Sequence, residues 1–428
     1  MGSLVLLQIA VILVVCRALS LLLRRFNQPA VVCQMLAGVL IGPSLLGLWT
    51  AWRDVVVPAS STGVISAISQ VGLVLFMFCA GTELDLGLLG QRARAAASIS
   101  IVSVAVPLAT GALVASQLVT NARLFPQGVS HPVEIAFLGV AVAITAFPVM
   151  ARIINESGLA NTSAGATSLV AGSFTDAVAW CLLALLLAAL GGTPGRAAWT
   201  LVAAAALAAF VVVARTPFAS RLLDHWLVEW AVVPGLPPLI LIGLLGVAWL
   251  SDATGLHPAF GAFVFGLAMP RSELTEAVRR RLEPMAVGVL LPLYFVSTGL
   301  STSVGLLAAP GLWQIGLLLL AVAILSKGVT CWIVARLTRH TARDSLVIGA
   351  LMNARGLVEL VVLSIGLQRH VITPALFSIM VIVAIITTML AGPVIALVYP
   401  EAARWRHRAT RMADAAPQQP ELHAHLGG

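Results

Sequence analysis

Long apolar runs follow one another along almost the whole chain, from residue 3 to residue 398. Of the 428 residues, 60% are hydrophobic and only 10% are charged, which excludes an ordinary soluble domain. A helix needs about 20 apolar residues to cross the hydrocarbon core of a bilayer, and many of these runs have that length. Because lipid offers no water to unpaired backbone groups, each run is predicted to be helical. The sequence therefore predicts an all-α polytopic membrane protein.

Clusters of Arg, Pro and Gly divide the apolar sequence into about thirteen predicted transmembrane helices. They cover residues 3–23, 29–47, 62–84, 95–118, 132–155, 161–190, 197–213, 235–251, 255–270, 285–300, 312–335, 344–367 and 374–398. The first run lacks a basic segment before it and a small-residue cleavage site after it, so it is predicted to be retained. Residues 1–400 then form one transmembrane domain, and residues 401–428 form a short cytoplasmic tail.

The basic residues in the loops are distributed unequally between the two sides of the predicted membrane. Eighteen of the 25 lie on one side and four on the other, namely Arg53, Arg123, Arg196 and Arg369. The positive-inside rule then puts the N-terminus outside and the C-terminus in the cytoplasm. The protein is expected in the inner or plasma membrane of the cell. The net charge of +8 could suggest nucleic acid, but the charges are spread over short loops, so no nucleic-acid partner is predicted.

Motifs for covalent chemistry are missing from the sequence. The five cysteines lie in apolar runs without the spacing of a zinc site or a disulfide framework. No phosphate-binding glycine loop and no nucleophile elbow occurs, so neither an enzyme nor a cofactor is predicted. Gly261 and Gly266 are expected to permit close helix packing, while Glu83 and Asp85 are expected at a solvated helix end.

The order of the predicted helices suggests two halves, residues 1–190 and 235–400, joined by the helix at 197–213. The fifth helix of each half, 132–155 and 344–367, would cross the membrane in opposite directions. Inverted repeats of this kind have discontinuous helices that meet near the membrane midplane and form the ion site. This symmetry is inferred from helix order and orientation alone.

Asp176 lies near the centre of the apolar run 161–190. A carboxylate at that depth costs at least ~2.5 kcal/mol on insertion scales. It is tolerated mainly where it faces a partner, an ion or a water-filled cavity, although a buried Asp can also simply tie helices together. Asp176 is therefore the first candidate for an ion-binding residue.

The predicted helix 132–155 contains Pro148 in its second half. Proline removes a backbone donor and clashes with the preceding turn, so the helix is predicted to break near Thr145. A break at this depth would line a cavity and offer free carbonyls and a hydroxyl to a cation. The alternative is a simple proline kink.

The predicted helix 344–367 contains Asn353, Arg355, Gly356 and Glu359. Arg355 and Glu359 are four residues apart, so they could form a structural salt bridge on one helix face. Alternatively, Gly356 and Asn353 allow the helix to unwind here. In that case Arg355 would offset partial charges at the break, with Glu359 as its partner.

Lys327 is the only lysine of the chain and lies in the middle of the predicted helix 312–335. Arg stays charged under ordinary conditions, whereas a buried Lys can lose its proton, so a site that needs a switchable cation would use Lys. The alternative is a snorkelling or fixed structural lysine.

Several segments together resemble the cation:proton antiporter superfamily, most closely its plant cation/H+ exchanger branch and bacterial relatives. The matching segments are residues 81–85, 144–153, 176–180, 257–263, 291–297 and 351–366. The resemblance implies a homodimer of thirteen-helix subunits, each with a dimerisation domain and a mobile core that holds two crossed broken helices. It also implies that Asp176 binds a proton or a monovalent cation, that Thr145 lies at a break and that Lys327 is the basic residue of the core. The family usually has Asn or Asp where this chain has Thr175.

These observations lead to one hypothesis, which is antiport of Na+ or K+ against H+ by competition at Asp176. Burial favours the neutral acid, while a bound cation or Lys327 favours the carboxylate. Thr145, Thr175 and Ser173 would supply oxygen ligands, and the core would rock to expose the site to each side in turn. A single acid predicts one proton per cation, hence electroneutral exchange. The alternatives are a gated K+ efflux transporter and a non-transporting membrane receptor or scaffold with the same fold.

Overall fold

The computed structural model describes residues 2–23, 26, 28–42, 59–83, 93–190, 194–216, 218–219, 221 and 238–400. The described part consists of helices joined by turns and short non-helical segments. The α-helices are α1 Gly2–Leu23, α2 Ala30–Ile41, α3 Ala59–Glu83, α4 Ala93–Leu118, α5 His131–Ala143, α6 Phe147–Glu156, α7 Ser163–Ala189, α8 Pro194–Ala214, α9 Pro238–Ala253, α10 Pro258–Ala268, α11 Glu273–Met285, α12 Leu291–Leu300, α13 Leu312–Ala323, α14 Thr330–Leu337, α15 Ala342–Met352, α16 Leu357–Gln368 and α17 Pro374–Val398.

The predicted all-α membrane architecture is confirmed. Within the described ranges, ten helical segments are long and apolar enough to cross a membrane, and each coincides with a predicted transmembrane helix. Three shorter apolar helices, α2, α9 and α10, occupy the positions of the other three. The exact number of thirteen stays a prediction. The tail 401–428 and Asp85 lie outside the described residues.

The fifth predicted helix is broken rather than kinked. Helix α5 ends at Ala143 and α6 begins at Phe147, with extended backbone at Ile144 between them. Pro148 lies in the first turn of α6, where its missing amide hydrogen leaves no helical hydrogen bond unmade. The proline therefore lies at the start of a new helix, and the break predicted near Thr145 is confirmed.

A second break separates α15 from α16. Helix α15 ends at Met352 and α16 begins at Leu357, so Asn353, Arg355 and Gly356 lie in the unwound segment. The salt bridge with Glu359 is nevertheless present, with Nη1 of Arg355 3.1 Å from Oε1 of Glu359. The segment is therefore unwound and also contains the salt bridge. Arg355 lies just before the helix that carries Glu359.

The two breaks are in contact. The main-chain amide of Ala146 donates a hydrogen bond to the carbonyl oxygen of Ala354 at 3.3 Å. A Cβ atom added at Gly356 would come within 2.8 Å of the side chain of Val149, so this glycine permits close approach of the second break to α6. The discontinuous helices implied by the resemblance therefore cross at their breaks.

Glycines permit close helix contacts away from the breaks. A Cβ added at Gly299 of α12 would fall on the backbone of Gly38 in α2, and one added at Gly266 of α10 on the carbonyl oxygen of Phe78 in α3. A Cβ at Gly261 would lie 2.6 Å from the carbonyl oxygen of Val247. The packing role predicted for Gly261 and Gly266 is confirmed, because each permits backbone contact with a neighbouring helix.

Candidate functional site

Asp176 lies in the middle of α7 and is fully buried. Neither of its carboxylate oxygens has a hydrogen-bond partner among the described residues. The carboxyl lies close to the main-chain amide of Phe147, the indole of Trp180 and the amine of Lys327. Lys327 does not hydrogen-bond to Asp176, and its Nζ donates instead to the carbonyl oxygen of Ala143. An unpaired buried carboxylate is costly, so the site suits a ligand that supplies the missing partner, such as a proton or a cation.

The break between α5 and α6 lies beside this carboxyl. The amide of Phe147 lies close to the Asp176 carboxyl. Phe147 is the first residue of α6 and therefore directly follows the break. Thr145 within the break is completely buried, and its hydroxyl has no hydrogen-bond partner among the described residues. The first amide groups of a helix carry partial positive charge, which favours an anion at this point. The start of α6 therefore favours a charged Asp176.

Thr175 and Ser173 direct their hydroxyl protons within their own helix. Thr175 Oγ1 donates to the carbonyl oxygen of Ala171 at 2.8 Å and lies 3.1 Å from Oγ of Ser103 in α4. Ser173 Oγ donates to the carbonyl oxygen of Val170 at 2.9 Å. Their oxygen lone pairs remain available to a cation. The role of both residues as ion ligands stays a prediction, and the contact of Thr175 with Ser103 was not foreseen.

Lys327 lies in a π-helical turn, Ile324–Val329, between α13 and α14. Single π-helical turns inside α-helices occur frequently at functional sites. The side chain is fully buried, and its Nζ donates a hydrogen bond to the carbonyl oxygen of Ala143, the last residue of α5. The amine thus stays in the membrane interior, which excludes the snorkelling alternative.

Arg355 binds the same end of α5. Its Nη1 donates to the carbonyl oxygen of Ala141 at 3.2 Å and its Nη2 to that of Val142 at 2.7 Å. The last carbonyls of a helix carry partial negative charge and lack helical partners, so cations are favoured there. Arg355 and Lys327 together offset the partial charge at the end of α5.

Two further side chains shape the second break. Thr388 of α17 accepts a hydrogen bond from the amide of Arg355 at 2.8 Å and donates one to its carbonyl oxygen at 2.7 Å. Asn353 packs against Gly328, next to Lys327, and its Oδ1 has no hydrogen-bond partner in the described part of the chain. Sequence reasoning missed Thr388, although a threonine pair at 387–388 inside an apolar run was a visible signal.

The core contains two acids and two bases that are fully buried: Asp176, Glu359, Lys327 and Arg355. With all four ionised, their charges sum to zero. Either a proton on Asp176 or a monovalent cation beside it brings the same sum to +1. The site therefore has equal charge in both loaded forms, provided that the other three groups keep their ionisation.

Two cavities approach α6 from the side of the predicted cytoplasmic loops. One, of about 510 Å³, is lined by Phe147 and Asn155 of α6 and by Glu83 and Arg271 among others. The other, of about 460 Å³, also reaches α6 and contains Glu83. Glu83 forms an ion pair with Arg279 at 2.9 Å, so it is a paired residue of the cavity wall rather than a simple solvated helix end.

No group of three or more His, Cys, Asp or Glu side chains within the described ranges could hold a metal ion. The candidate oxygen ligands are instead the carboxylate of Asp176, the hydroxyls of Thr175 and Ser173 in the same helix, and the hydroxyl of Thr145 in the adjoining break. Such hard oxygen ligands are of the kind that hard cations prefer.

Comparison with known proteins gives consistent matches along the chain. It is 33% identical over 425 residues to "Cation/H(+) antiporter 20" of Arabidopsis thaliana, covering 95% of this chain and 49% of that protein. It is 35% identical over 405 residues to "Na(+)/H(+) antiporter NhaS4" of Synechocystis, covering 93% of this chain and 97% of that protein. The chain thus spans about half the length of the plant relative and nearly all of the cyanobacterial one.

A solved structure has the same fold. The sodium proton antiporter MjNhaP1 from Methanocaldococcus jannaschii matches 94% of this chain and 98% of its own with a TM-score of 0.66, at 14% sequence identity. The family model "Sodium/hydrogen exchanger, transmembrane" matches residues 10–399, which is nearly the entire chain. By this match, and by its identity to the cyanobacterial relative over almost the full length of both proteins, the chain belongs to the family of transmembrane sodium/hydrogen exchangers.

Proposed function

We propose that the protein is a secondary active antiporter that exchanges a monovalent cation, Na+ or K+, for H+ across the membrane. The proton and the cation compete for the carboxylate of Asp176, and the core alternates between access to the two sides. Relatives whose names state cation/H+, Na+/H+ or K+/H+ antiport support this activity. No covalent step and no cofactor is needed, because the transported ions themselves are the ligands.

The unpartnered carboxylate of Asp176 is the observation that carries the proposal. It is fully buried, it lies beside the first amide of α6, and neither oxygen has a hydrogen-bond partner among the described residues. A residue that only tied helices together would have its oxygens paired, since buried polar groups normally are. Thr145, with an equally unpartnered hydroxyl, is the best-supported additional cation ligand. The hydroxyls of Thr175 and Ser173 already donate their protons within α7, so they would bind a cation only through their oxygen lone pairs.

The buried charges favour an exchange of one cation for one proton. The two loaded forms of the core carry the same net charge, so the same element can move either ion across the membrane at the same electrostatic cost. The exchange would therefore be electroneutral. Arg355, Glu359, Pro148 and Asn353 maintain the two breaks and their charge compensation, while Lys327 biases Asp176 toward the carboxylate through its positive charge.

The cellular setting follows from the same proposal. The protein would lie in the inner or plasma membrane as a homodimer, with its C-terminus in the cytoplasm, and would contribute to pH homeostasis. Its two halves would be inverted repeats. The large excess of arginine in the predicted cytoplasmic loops supports the orientation.

A proton-flux assay in proteoliposomes tests the function. Purified protein is reconstituted with a pH-sensitive dye inside, and Li+, Na+, K+ and Rb+ are added outside in turn. We expect cation-dependent proton movement with Na+ or K+ that is unchanged by an imposed voltage. Asp176→Asn should abolish it, while Asp252→Asn, which makes the same chemical change on an exposed side chain of α9, should leave it intact.

Three outcomes would contradict parts of the proposal. Normal exchange by Asp176→Asn would remove this residue from its role. Voltage-driven proton-coupled flux would contradict electroneutrality. Downhill K+ flux without proton movement would favour a gated efflux transporter, and the absence of flux with every cation would favour a non-transporting receptor or scaffold.

A further inference from the structure

Trp180 lies one helical turn after Asp176 on the same face of α7. Its side chain is 1% exposed, and the indole nitrogen has no hydrogen-bond partner among the described residues. The indole N–H can only donate a hydrogen bond, whereas an ionised carboxylate can only accept. Two unpaired groups of opposite kind therefore lie one turn apart in the same buried region.

Leaving a buried donor or acceptor unpaired is unfavourable, and neither group would have to give up another partner to pair with the other. The indole also lies close to the Asp176 carboxyl, as do the Phe147 amide and the Lys327 amine. The donor of Trp180 is thus placed to stabilise the ionised form of Asp176. A proton or a cation bound to the carboxylate would itself offset the negative charge, so the hydrogen bond from Trp180 would then contribute less.

The ring of Trp180 also reaches a different group of helices. Its centroid lies 5.5 Å from that of Phe260 and 5.9 Å from that of Phe263, both on α10. Helix α10 packs mainly on α3 and α9, whereas α7 packs on α4, α8 and α15. Offset aromatic contacts at these separations are favourable, so the ring joins the helix of Asp176 to the facing helices.

We propose that Trp180 is a positioning residue of the ion site, whose indole N–H binds the carboxylate of Asp176 when neither proton nor cation is bound, while its ring rests on α10. This inference rests on the proposed function, because it assigns the residue that tunes competition at Asp176. It predicts that the same side chain senses whether the site is loaded and contacts the opposing helices.

The inference gives a specific pH dependence. Among the charged groups of the core, Lys327 acts directly on Asp176, while Arg355 and Glu359 act on Lys327. The variant Trp180→Phe leaves these three charged side chains in place. It keeps an aromatic ring against Phe260 and removes only the indole N–H. With the donor gone, the ionised carboxylate is less stabilised, so the proton is released only at higher pH. The pH of half-maximal exchange should rise by about one unit.

Trp249→Phe is the matched control, because this tryptophan on α9 is 69% exposed. Its half-maximal pH should equal that of the wild type. An unshifted half-maximal pH in an active Trp180→Phe protein would overturn the proposal, because a purely structural role would change the amount of active protein rather than the pH profile.

A spectroscopic measurement covers the case in which Trp180→Phe does not fold. The chain has 10 tryptophans, so wild-type protein labelled with ¹⁵N at the indoles should give ten indole N–H signals in detergent. One of them should shift with pH and with added Na+ or K+, and it should stop responding in Asp176→Asn. If none of the ten signals responds, or if the response persists in Asp176→Asn, the proposal is wrong. This readout needs no transport, so it separates failure of the inference from failure of the antiport function.

Discussion

The amide of Ala146 donates a hydrogen bond to the carbonyl oxygen of Ala354, 3.3 Å away, and so joins the two helix breaks. Each break frees backbone groups that have no helical partner, and in a membrane these groups must be satisfied by protein. The crossing supplies partners from the opposite break, from Lys327 and from Arg355. The crossing beside the candidate ion site is therefore held by main-chain groups whose partners come from distant parts of the sequence.

Thr388→Val should destabilise the second break. The hydroxyl of Thr388 bonds both the amide and the carbonyl of Arg355, and valine would leave both groups buried and unpaired. We expect a loss of about 1–3 kcal/mol in the free energy of unfolding, measured by chemical denaturation in detergent. Thr387→Val is the matched control, because that hydroxyl bonds only to carbonyls of its own helix. Equal losses in the two variants would contradict the bridging role.

Arg355→Met should lower the free energy of unfolding more than Glu359→Gln does. Removing the guanidinium leaves Glu359 as an unpaired buried charge and also removes the donors to Ala141 and Val142. A loss of about 3–5 kcal/mol is typical when one partner of a buried ion pair is removed. Glutamine at 359 keeps an acceptor for Arg355, so it should cost less.

The double variant Arg355→Met with Glu359→Met provides the control for this prediction. It removes both buried charges, so its free energy of unfolding should lie above that of Arg355→Met alone. Denaturation of these variants and of Glu359→Met in the same detergent checks the order. A double variant that is less stable than the wild type by the full sum of the losses of Arg355→Met and Glu359→Met would show that the two side chains do not interact.

Gly299→Ala should prevent the observed packing of α12 on α2. The added methyl group would fall on the backbone of Gly38, which cannot move away as a flexible side chain could. We expect a lower thermal midpoint and a smaller yield of monodisperse protein in size-exclusion chromatography. Gly246→Ala is the control, because a Cβ there meets nothing within 4 Å and alanine favours a helix by about 0.5–1 kcal/mol. An unchanged midpoint in Gly299→Ala would refute the close packing.

The cavity of about 510 Å³ beside α6 should be accessible from the cytoplasm. After the five native cysteines have been replaced by serine, Asn155→Cys should react with a membrane-impermeant maleimide in inside-out vesicles but not in right-side-out vesicles. Gln127→Cys, an exposed position in the loop between α4 and α5, should show the opposite preference. Exchanged preferences would contradict the predicted orientation, and labelling of both cysteines from the same side would contradict their placement on opposite sides of the membrane.

Much of the architecture could be predicted from local sequence. The apolar runs determine helices because lipid cannot satisfy open backbone, and Pro148 determines a break because its ring and missing donor act within one turn. Asp176 and Lys327 could be selected because an ionisable residue at the membrane centre is costly and therefore rare. Each of these inferences depends on the properties of a residue and its immediate neighbours.

The partners of these residues could not be predicted in the same way. Ser103 beside Thr175, Thr388 beside Arg355 and the α5 carbonyls that bind Lys327 and Arg355 are far apart in sequence. Main-chain acceptors also leave no mark in a sequence, since every residue has a carbonyl. For this reason the sequence around Arg355 is compatible with both alternatives, and only its neighbours in the fold distinguish them.

The sequence by itself determined a helical membrane protein with polar residues at the centre of several spans, because the cost of polar groups in lipid depends on composition and depth. Only the tertiary structure decided that both breaks cross, that Lys327 and Arg355 bind the end of α5, and that the Asp176 carboxylate is buried without a hydrogen-bond partner among the described residues. The physical reason is that pairing within the membrane depends on which helices pack together, and this packing joins residues more than two hundred positions apart.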